Sequence, residues 1–202
     1  GADRWIACGF ANPVASSIII STDNGVTWRQ PNNTPQPFDR GGSNAFYSSE
    51  HHRWVAVGDA TNGKNIVFSD NNGETWTASD GTPFTANGFG RAVHYANGRW
   101  VAVGFSNADD HSAVLYSDDN GVNWTAATND GGGLPFGVRG QGLGVYYGNG
   151  RWVAVGQHGQ PNSSNIIYSD DNGTTWRPAA GNPFGNTIGE IVAAGRDVVF
   201  NR

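Results

Sequence analysis

One eight-residue phrase is written four times in this chain. It runs Ser21-Thr22-Asp23-Asn24-Gly25-Val26-Thr27-Trp28 and returns at residues 69–76, 117–124 and 169–176. The closing tryptophans Trp28, Trp76, Trp124 and Trp176 are spaced by 48, 48 and 52 residues. A second phrase, Arg4-Trp5-Ile6-Ala7-Cys8-Gly9, recurs in phase at residues 53–58, 99–104 and 151–156. A fixed period of this length means repeated supersecondary units. No unit can bury its apolar faces alone, so each must stack on its neighbours.

The second repeat serves as the pattern. Residues 91–95 alternate as a short strand, here strand A, and Asn97-Gly98 is a strong hairpin turn. Strand B, residues 53–57, is apolar on both faces and therefore buried on both. After a polar loop comes strand C, residues 66–69, and the eight-residue phrase turns it into strand D near Trp76. Four antiparallel strands per unit of about 48 residues is propeller-blade patterning. Within the phrase, serine and the third-position Asp or Asn can accept backbone N–H bonds, and Asn-Gly tolerates positive φ. The phrase residues read as structural in every copy: Ser21, Asp23, Gly25 and Trp28; Ser69, Asn71, Gly73 and Trp76; Ser117, Asp119, Gly121 and Trp124; Ser169, Asp171, Gly173 and Trp176.

These four phrases resemble the bacterial neuraminidase repeat, or Asp-box, whose motif is Ser-x-Asp-x-Gly-x-Thr-Trp. Residues 21–28 and 169–176 match it in full. The second copy has Asn71 for Asp and the third Asn123 for Thr. The resemblance implies an all-β, sialidase-like β-propeller with the motif at the blade edge, away from any ligand. The expected fold is four four-stranded antiparallel blades in one domain, residues 1–202. The repeats run approximately 1–37, 38–83, 84–135 and 136–185, with a closing strand at 186–202. The chain opens on a B strand, so strands B, C and D at the N-terminus would be completed by an A strand at residues 188–195. Residues 196–200 look like a degraded fifth B strand. An excised piece of a longer propeller and half of an eight-bladed dimer are the alternatives. The chain holds no methionine, which suits a processed or excised chain.

Composition narrows the partners. A net charge of −5 gives no basic footprint for a phosphate backbone, so nucleic acid is not expected. No stretch approaches the roughly 20 apolar residues of a membrane helix. Cys8 stands where other repeats have Val57, Val103 and Val155, which suits a small buried hydrophobe. His94, His111 and His158 are isolated and His51-His52 adjacent, so neither a metal nor a cofactor site is expected.

Antiparallel connectivity puts the short A–B and C–D turns at one end and the longer, variable B–C and D–A loops at the other. Variable loops on a rigid scaffold are where binding sits. Each D–A loop carries a Pro-Phe pair, ending at Phe38, Phe84, Phe136 and Phe184. These are either plugs between blades or an apolar platform. Asp39, Arg40, Arg91, Arg139, His158 and Glu190 fall on the same end, and the arginines could hold a carboxylate bidentately. By contrast Arg4, Arg53, Arg99 and Arg151 start every B strand and read as scaffold. Glycoside hydrolysis needs two carboxylates across a cleft, and nothing in the sequence selects a pair. The expected function is a non-catalytic recognition module that binds carbohydrate through the long-loop end, outside the cell or on its surface. The alternatives are a protein-interaction or structural domain of a larger extracellular protein, and a fragment of a sialidase-like glycoside hydrolase. The expected partner is a glycan or a protein, with the chain a monomer or a dimer forming a larger ring.

Overall fold

A computed structural model of the chain describes residues 4–10, 16–32, 37–81, 83–107, 111–158, 164–181, 184 and 195–200. Among these residues the secondary structure is entirely β. Unit 1 contains β1 (Trp5–Cys8) and β2 (Ile18–Ser21). Unit 2 contains β3 (Gly41–Ser48), β4 (Arg53–Asp59), β5 (Ile66–Ser69) and β6 (Thr77–Ala78). Unit 3 contains β7 (Phe89–Ala96), β8 (Arg99–Phe105), β9 (Val114–Ser117) and β10 (Thr125–Ala126), followed by the short β11 (Thr128–Asn129). Unit 4 contains β12 (Gln141–Gly148), β13 (Arg151–Gln157), β14 (Ile166–Ser169) and β15 (Thr175–Pro178).

Units 2, 3 and 4 are therefore four-stranded antiparallel meanders with the expected A-B-C-D order. Their registers are superimposable: Tyr47 faces Trp54, Tyr95 faces Trp100 and Tyr147 faces Trp152. In each, one β-bulge falls just after the second A-strand residue, Gly42, Gly90 or Gly142. The predicted Asn97-Gly98 and Asn149-Gly150 hairpins have both residues at positive φ (50° and 75°, 50° and 78°), as a type I′ turn demands. Successive sheets touch edge to edge at single residue pairs, Asp59 with Phe89 and Phe105 with Gln141. Inner strands stand side by side. Phe46 of β3, His94 of β7 and Tyr146 of β12 form a ladder with centroids 4.2 and 4.4 Å apart.

The Asp-box turn works as its chemistry predicts. Ser21 Oγ accepts Gly25 N–H at 2.9 Å and donates to Asp23 Oδ1 at 2.8 Å. Asp23 then accepts Thr27 N–H at 2.8 Å, and Trp28 Nε1 donates to the Gly25 carbonyl at 3.0 Å. The departures from the motif keep the bond, and the first of them reverses its direction. Asn71 Nδ2 donates to Thr75 Oγ1 at 2.8 Å, whereas Asn123 Nδ2 donates to Asp119 Oδ2 at 2.7 Å. The B-strand arginines are scaffold. Arg53, Arg99 and Arg151 each clamp an Asp-box carboxylate, Asp70, Asp118 and Asp170, at 2.5–2.6 Å. Each guanidinium also lies over a C-strand ring, Phe68, Tyr116 or Tyr168. Unit 1 has Thr22 in place of that carboxylate, and Arg4 reaches across to Glu74 instead.

One expectation changes, and the expected ring closure is not seen among the described residues. No sheet closes among the described residues: β1 and β2 form a separate two-stranded sheet, joined by a bridge from Ile20 to Arg29. Residues 196–200 do not occupy a B-strand place. A Cβ on Gly195 would strike Val155, as one on Gly90 would strike Val57 and one on Gly142 would strike Val103. Gly195 therefore stands where the A-strand glycines of the other units stand, and the tail, which forms no strand, lies along β12, with Asp197 against Gly144 and Phe200 against Gly148. Of the closing strand expected at 188–195, only Gly195 lies within the described residues.

Candidate functional site

The inner strands begin at the end where the B–C and D–A loops gather, and a cavity of about 720 Å³ opens there. Strand starts supply its floor. Glycines Gly42, Gly90 and Gly142 lie flat on Cys8, Val57 and Val103 of the preceding unit. That close approach excludes any Cβ and turns the following residue inward. Those residues are Ser43, Arg91 and Leu143, with Arg196 after Gly195, and all four line the cavity. The ends of B strands add Asp59 and Gln157, and the first A-strand positions add Phe89 and Gln141. Phe10 stands at the rim, 90 % exposed.

The electrostatics are mixed. The Arg91 guanidinium stacks 4.2 Å from the Phe89 ring centre, which holds the fork in place while leaving its edge for a ligand. Asp59 sits 3.5 Å from Arg40. Among the described lining residues Asp59 is the one carboxylate, and no group of three metal-ligating side chains occurs among the described residues. Burial pushes the Cys8 thiol up to about 12, so at neutral pH it stays protonated and acts as a small apolar group.

Of the residues expected at a site, Arg91 lines this cavity. Phe38, Phe84 and Phe136 do not: each is 0 % exposed and packed in an apolar cluster between units. A ring with no accessible surface cannot form a platform, so these three are plugs. Phe38 N–H and Phe84 N–H are tied to Ser17 Oγ and Asn65 Oδ1, which seats the plugs from the adjoining C-strand entry. Phe184, 45 % exposed, lies outside the cavity lining. Asp39 accepts from the backbone N–H and hydroxyl of Thr61 and caps that loop. Arg40 holds Asp59 from outside the lining, and Arg139, at φ 59°, and His158 also lie outside it. Of the three arginines expected to converge, Arg91 is the one in the cavity lining. Glu190 lies outside the described residues. Ser43, Asp59, Phe89, Gln141, Gln157 and Arg196 were not anticipated. For Ser43 and Arg196 the signal was the place after the repeated A-strand glycine, for Phe89 and Gln141 the place before it, and for Asp59 and Gln157 the end of the B strand, all obscured by the uneven strand starts.

A second recess of about 240 Å³ lies at the opposite end, beside Glu50, His51 and Tyr95. Its polar groups already satisfy one another. Tyr95 Oη donates to Glu50 at 2.9 Å and lies 2.8 Å from His51 Nε2. Burial, then Glu50, push the Tyr95 phenol up to about 12.

Comparison with known proteins supports the architecture. The BNR/Asp-box repeat family matches residues 19–30, 115–126 and 167–178. No curated protein sequence matches the chain. Among solved structures, the Niastella koreensis GH74 enzyme aligns at TM-score 0.52 and 20 % identity, over 81 % of this chain and 21 % of that one. YCF48, solved bound to a D1 peptide, aligns at TM-score 0.54 and 16 % identity, over 88 % of this chain and 52 % of that one. The chain thus spans about a fifth and about half of the lengths of those two proteins. At such identities the likeness speaks for the fold alone. Three family matches on the same turn, within an all-β, propeller-like arrangement, identify residues 19–30, 115–126 and 167–178 as BNR/Asp-box repeats.

Proposed function

We propose that the chain is a single non-catalytic recognition domain, residues 1–202, that binds carbohydrate through the cavity at its long-loop end, outside the cell or at its surface. One observation carries the reading. The cavity is lined by planar polar side chains, Arg91, Gln141, Gln157 and Asp59, beside the Phe89 ring. Bidentate polar groups with one aromatic edge suit vicinal hydroxyls, and two arginines, Arg91 and Arg196, suit a sugar that carries a carboxylate.

The test is a glycan array followed by calorimetry on neutral and uronate-containing oligosaccharides. Arg91→Ala and Gln141→Ala should each weaken binding about tenfold or more, the cost of one charged or well-placed hydrogen bond. Asp39→Ala should leave it unchanged. Binding that survives both cavity substitutions would sink this placement. A protein-binding role is the second reading, and the rim residue Phe10 favours it, being 90 % exposed. That reading gains if the array is blank and Phe10→Ala abolishes capture of a protein partner.

A further inference from the structure

Arginines on this molecule mostly have a countercharge, and the exceptions gather in one place. Seven of the described arginines hold a carboxylate within 3.5 Å. Arg91 and Arg196 hold none among the described residues, and both line the cavity at the long-loop end. The one carboxylate of the described lining, Asp59, is already answered from outside it. Arg40 Nη1 lies 3.5 Å from that carboxylate, and the Arg40 N–H donates to the Asp59 carbonyl at 3.2 Å. Two positive charges therefore face this cavity without a countercharge, on a chain whose net charge is −5. A cleft lined by one sign of charge concentrates ions of the other.

The order of the lining says how the two charges are used. Arg91 and Arg196 each follow a glycine that lies flat on the preceding unit, Gly90 on Val57 and Gly195 on Val155. Between these two places, in unit order, comes unit 4. It contributes Leu143 and the amides Gln141 and Gln157, which pair across β12 and β13. The Arg91 guanidinium is held 4.2 Å from the ring centre of Phe89, on its own strand, which keeps that fork at its own unit. The sequence around the opening is thus a charged fork, a stretch of neutral hydrogen-bonding amides with one apolar side chain, and a second charged group. A single carboxylate uses one fork and leaves the other charge unanswered.

We infer that the ligand of this cavity is a uronate chain, an acidic oligosaccharide with carboxylates on successive sugars. Arg91 and Arg196 take one carboxylate each, and Gln141 and Gln157 take the hydroxyls of the sugars between them. This deepens the carbohydrate reading and rests on it. The planar guanidinium matches a planar carboxylate in two parallel hydrogen bonds, which a neutral sugar cannot supply. Once the first carboxylate is seated, the second is delivered at the effective concentration set by the sugars that link them, so affinity rises steeply from one uronate to several.

The experiment is calorimetry on the whole chain with galacturonate as the single sugar, as the tetrasaccharide and as the fully methyl-esterified tetrasaccharide. The ester keeps the sugars and removes the charges. The acid tetrasaccharide should bind about tenfold or more tighter than the single sugar and than the ester. Its affinity should fall as salt rises from about 0.05 to about 0.5 M, since exposed charges are screened. Arg91 and Arg196 are both exposed, so their substitution leaves the packed core intact. Arg91→Ala and Arg196→Ala should each bring the tetrasaccharide down to the affinity of the single sugar. Arg91→Lys, which keeps the charge and loses the fork, should recover only part of that loss.

An ester that binds as tightly as the acid overturns the inference and leaves the carbohydrate reading standing. So does a tetrasaccharide no tighter than the single sugar, or acid binding that neither alanine substitution weakens. If acid and ester both fail to bind and the glycan array is blank, the carbohydrate reading falls and takes the inference with it.

Discussion

At the scale of single residues, the Asp-box is a turn held by one carboxylate, and its titration is readable. Asp171 is drawn up by burial, but the hydroxyl and N–H of Thr175 and the Ser169 hydroxyl outweigh this and hold it below its ordinary range. Hydrogen bonds from Thr27, then Ser21, bring the Asp23 carboxyl down to about 2. A carboxyl whose folded pKa is depressed adds stability above its unfolded pKa of about 3.9 and loses it as pH falls through the folded value. Asn71 already shows that an amide closes the same turn by donating to Thr75. Asp171→Asn should therefore cost about 1 kcal/mol at pH 7, the margin between a charged and a neutral acceptor, or about 2–4 °C in Tm. Near pH 2 the cost should be smaller, because the parent carboxyl loses its advantage as it takes up a proton. Thermal melts of both proteins at the two pH values decide it, and an equal penalty at both would refute the assignment. The serine, the acceptor and the Asn-Gly pair were all legible in the sequence because the motif is local. Every bond in it spans at most four residues.

At the scale of the strand, legibility depends on period and neighbours. The both-face apolar B strands and the Asn-Gly hairpins declared themselves, since their chemistry is contained in one run. The cavity did not. Ser43, Arg91, Leu143 and Arg196 share no common residue type, and what unites them is a glycine pressed on the preceding unit, a contact 33 to 40 residues away in sequence for Gly42, Gly90, Gly142 and Gly195. The Pro-Phe loops failed in the other direction. A repeated aromatic suits a plug or a platform equally, and burial at Phe38, Phe84 and Phe136 decides for the plug. His94 shows how an inner strand sets a pKa. It lies between the Phe46 and Tyr146 rings, with Trp152 5.8 Å away, and burial pushes its imidazole down to about 4. A base whose folded pKa is lowered binds its proton more tightly when unfolded. Stability is thus complete above about 6.5 and declines as pH falls toward 4. His94→Phe keeps the aromatic ladder and removes the proton. Its Tm should fall less than that of the parent between pH 6.5 and 4.5. Parallel slopes would show that the decline arises elsewhere.

For the whole molecule, the decisive quantity is what lies at the ends of the row. Self-similarity announced stacked units, but it could not announce closure, because identical repeats make an inner junction and an outer junction look alike in sequence. Only exposure separates Trp5 from Trp100 and Trp152. In a row where each unit contacts only its neighbours, stability is a sum of unit and junction terms, so the ends open first. Among the described residues unit 1 is also the thinnest, with the β1–β2 pair and a single bridge to Arg29. Amide exchange should be fastest in β1 and β2, intermediate in β14 and β15, and slowest in β8, which is flanked by packed sheets on both sides. Equal protection of β1 and β8 would mean that packing at the junctions does not set the order of opening.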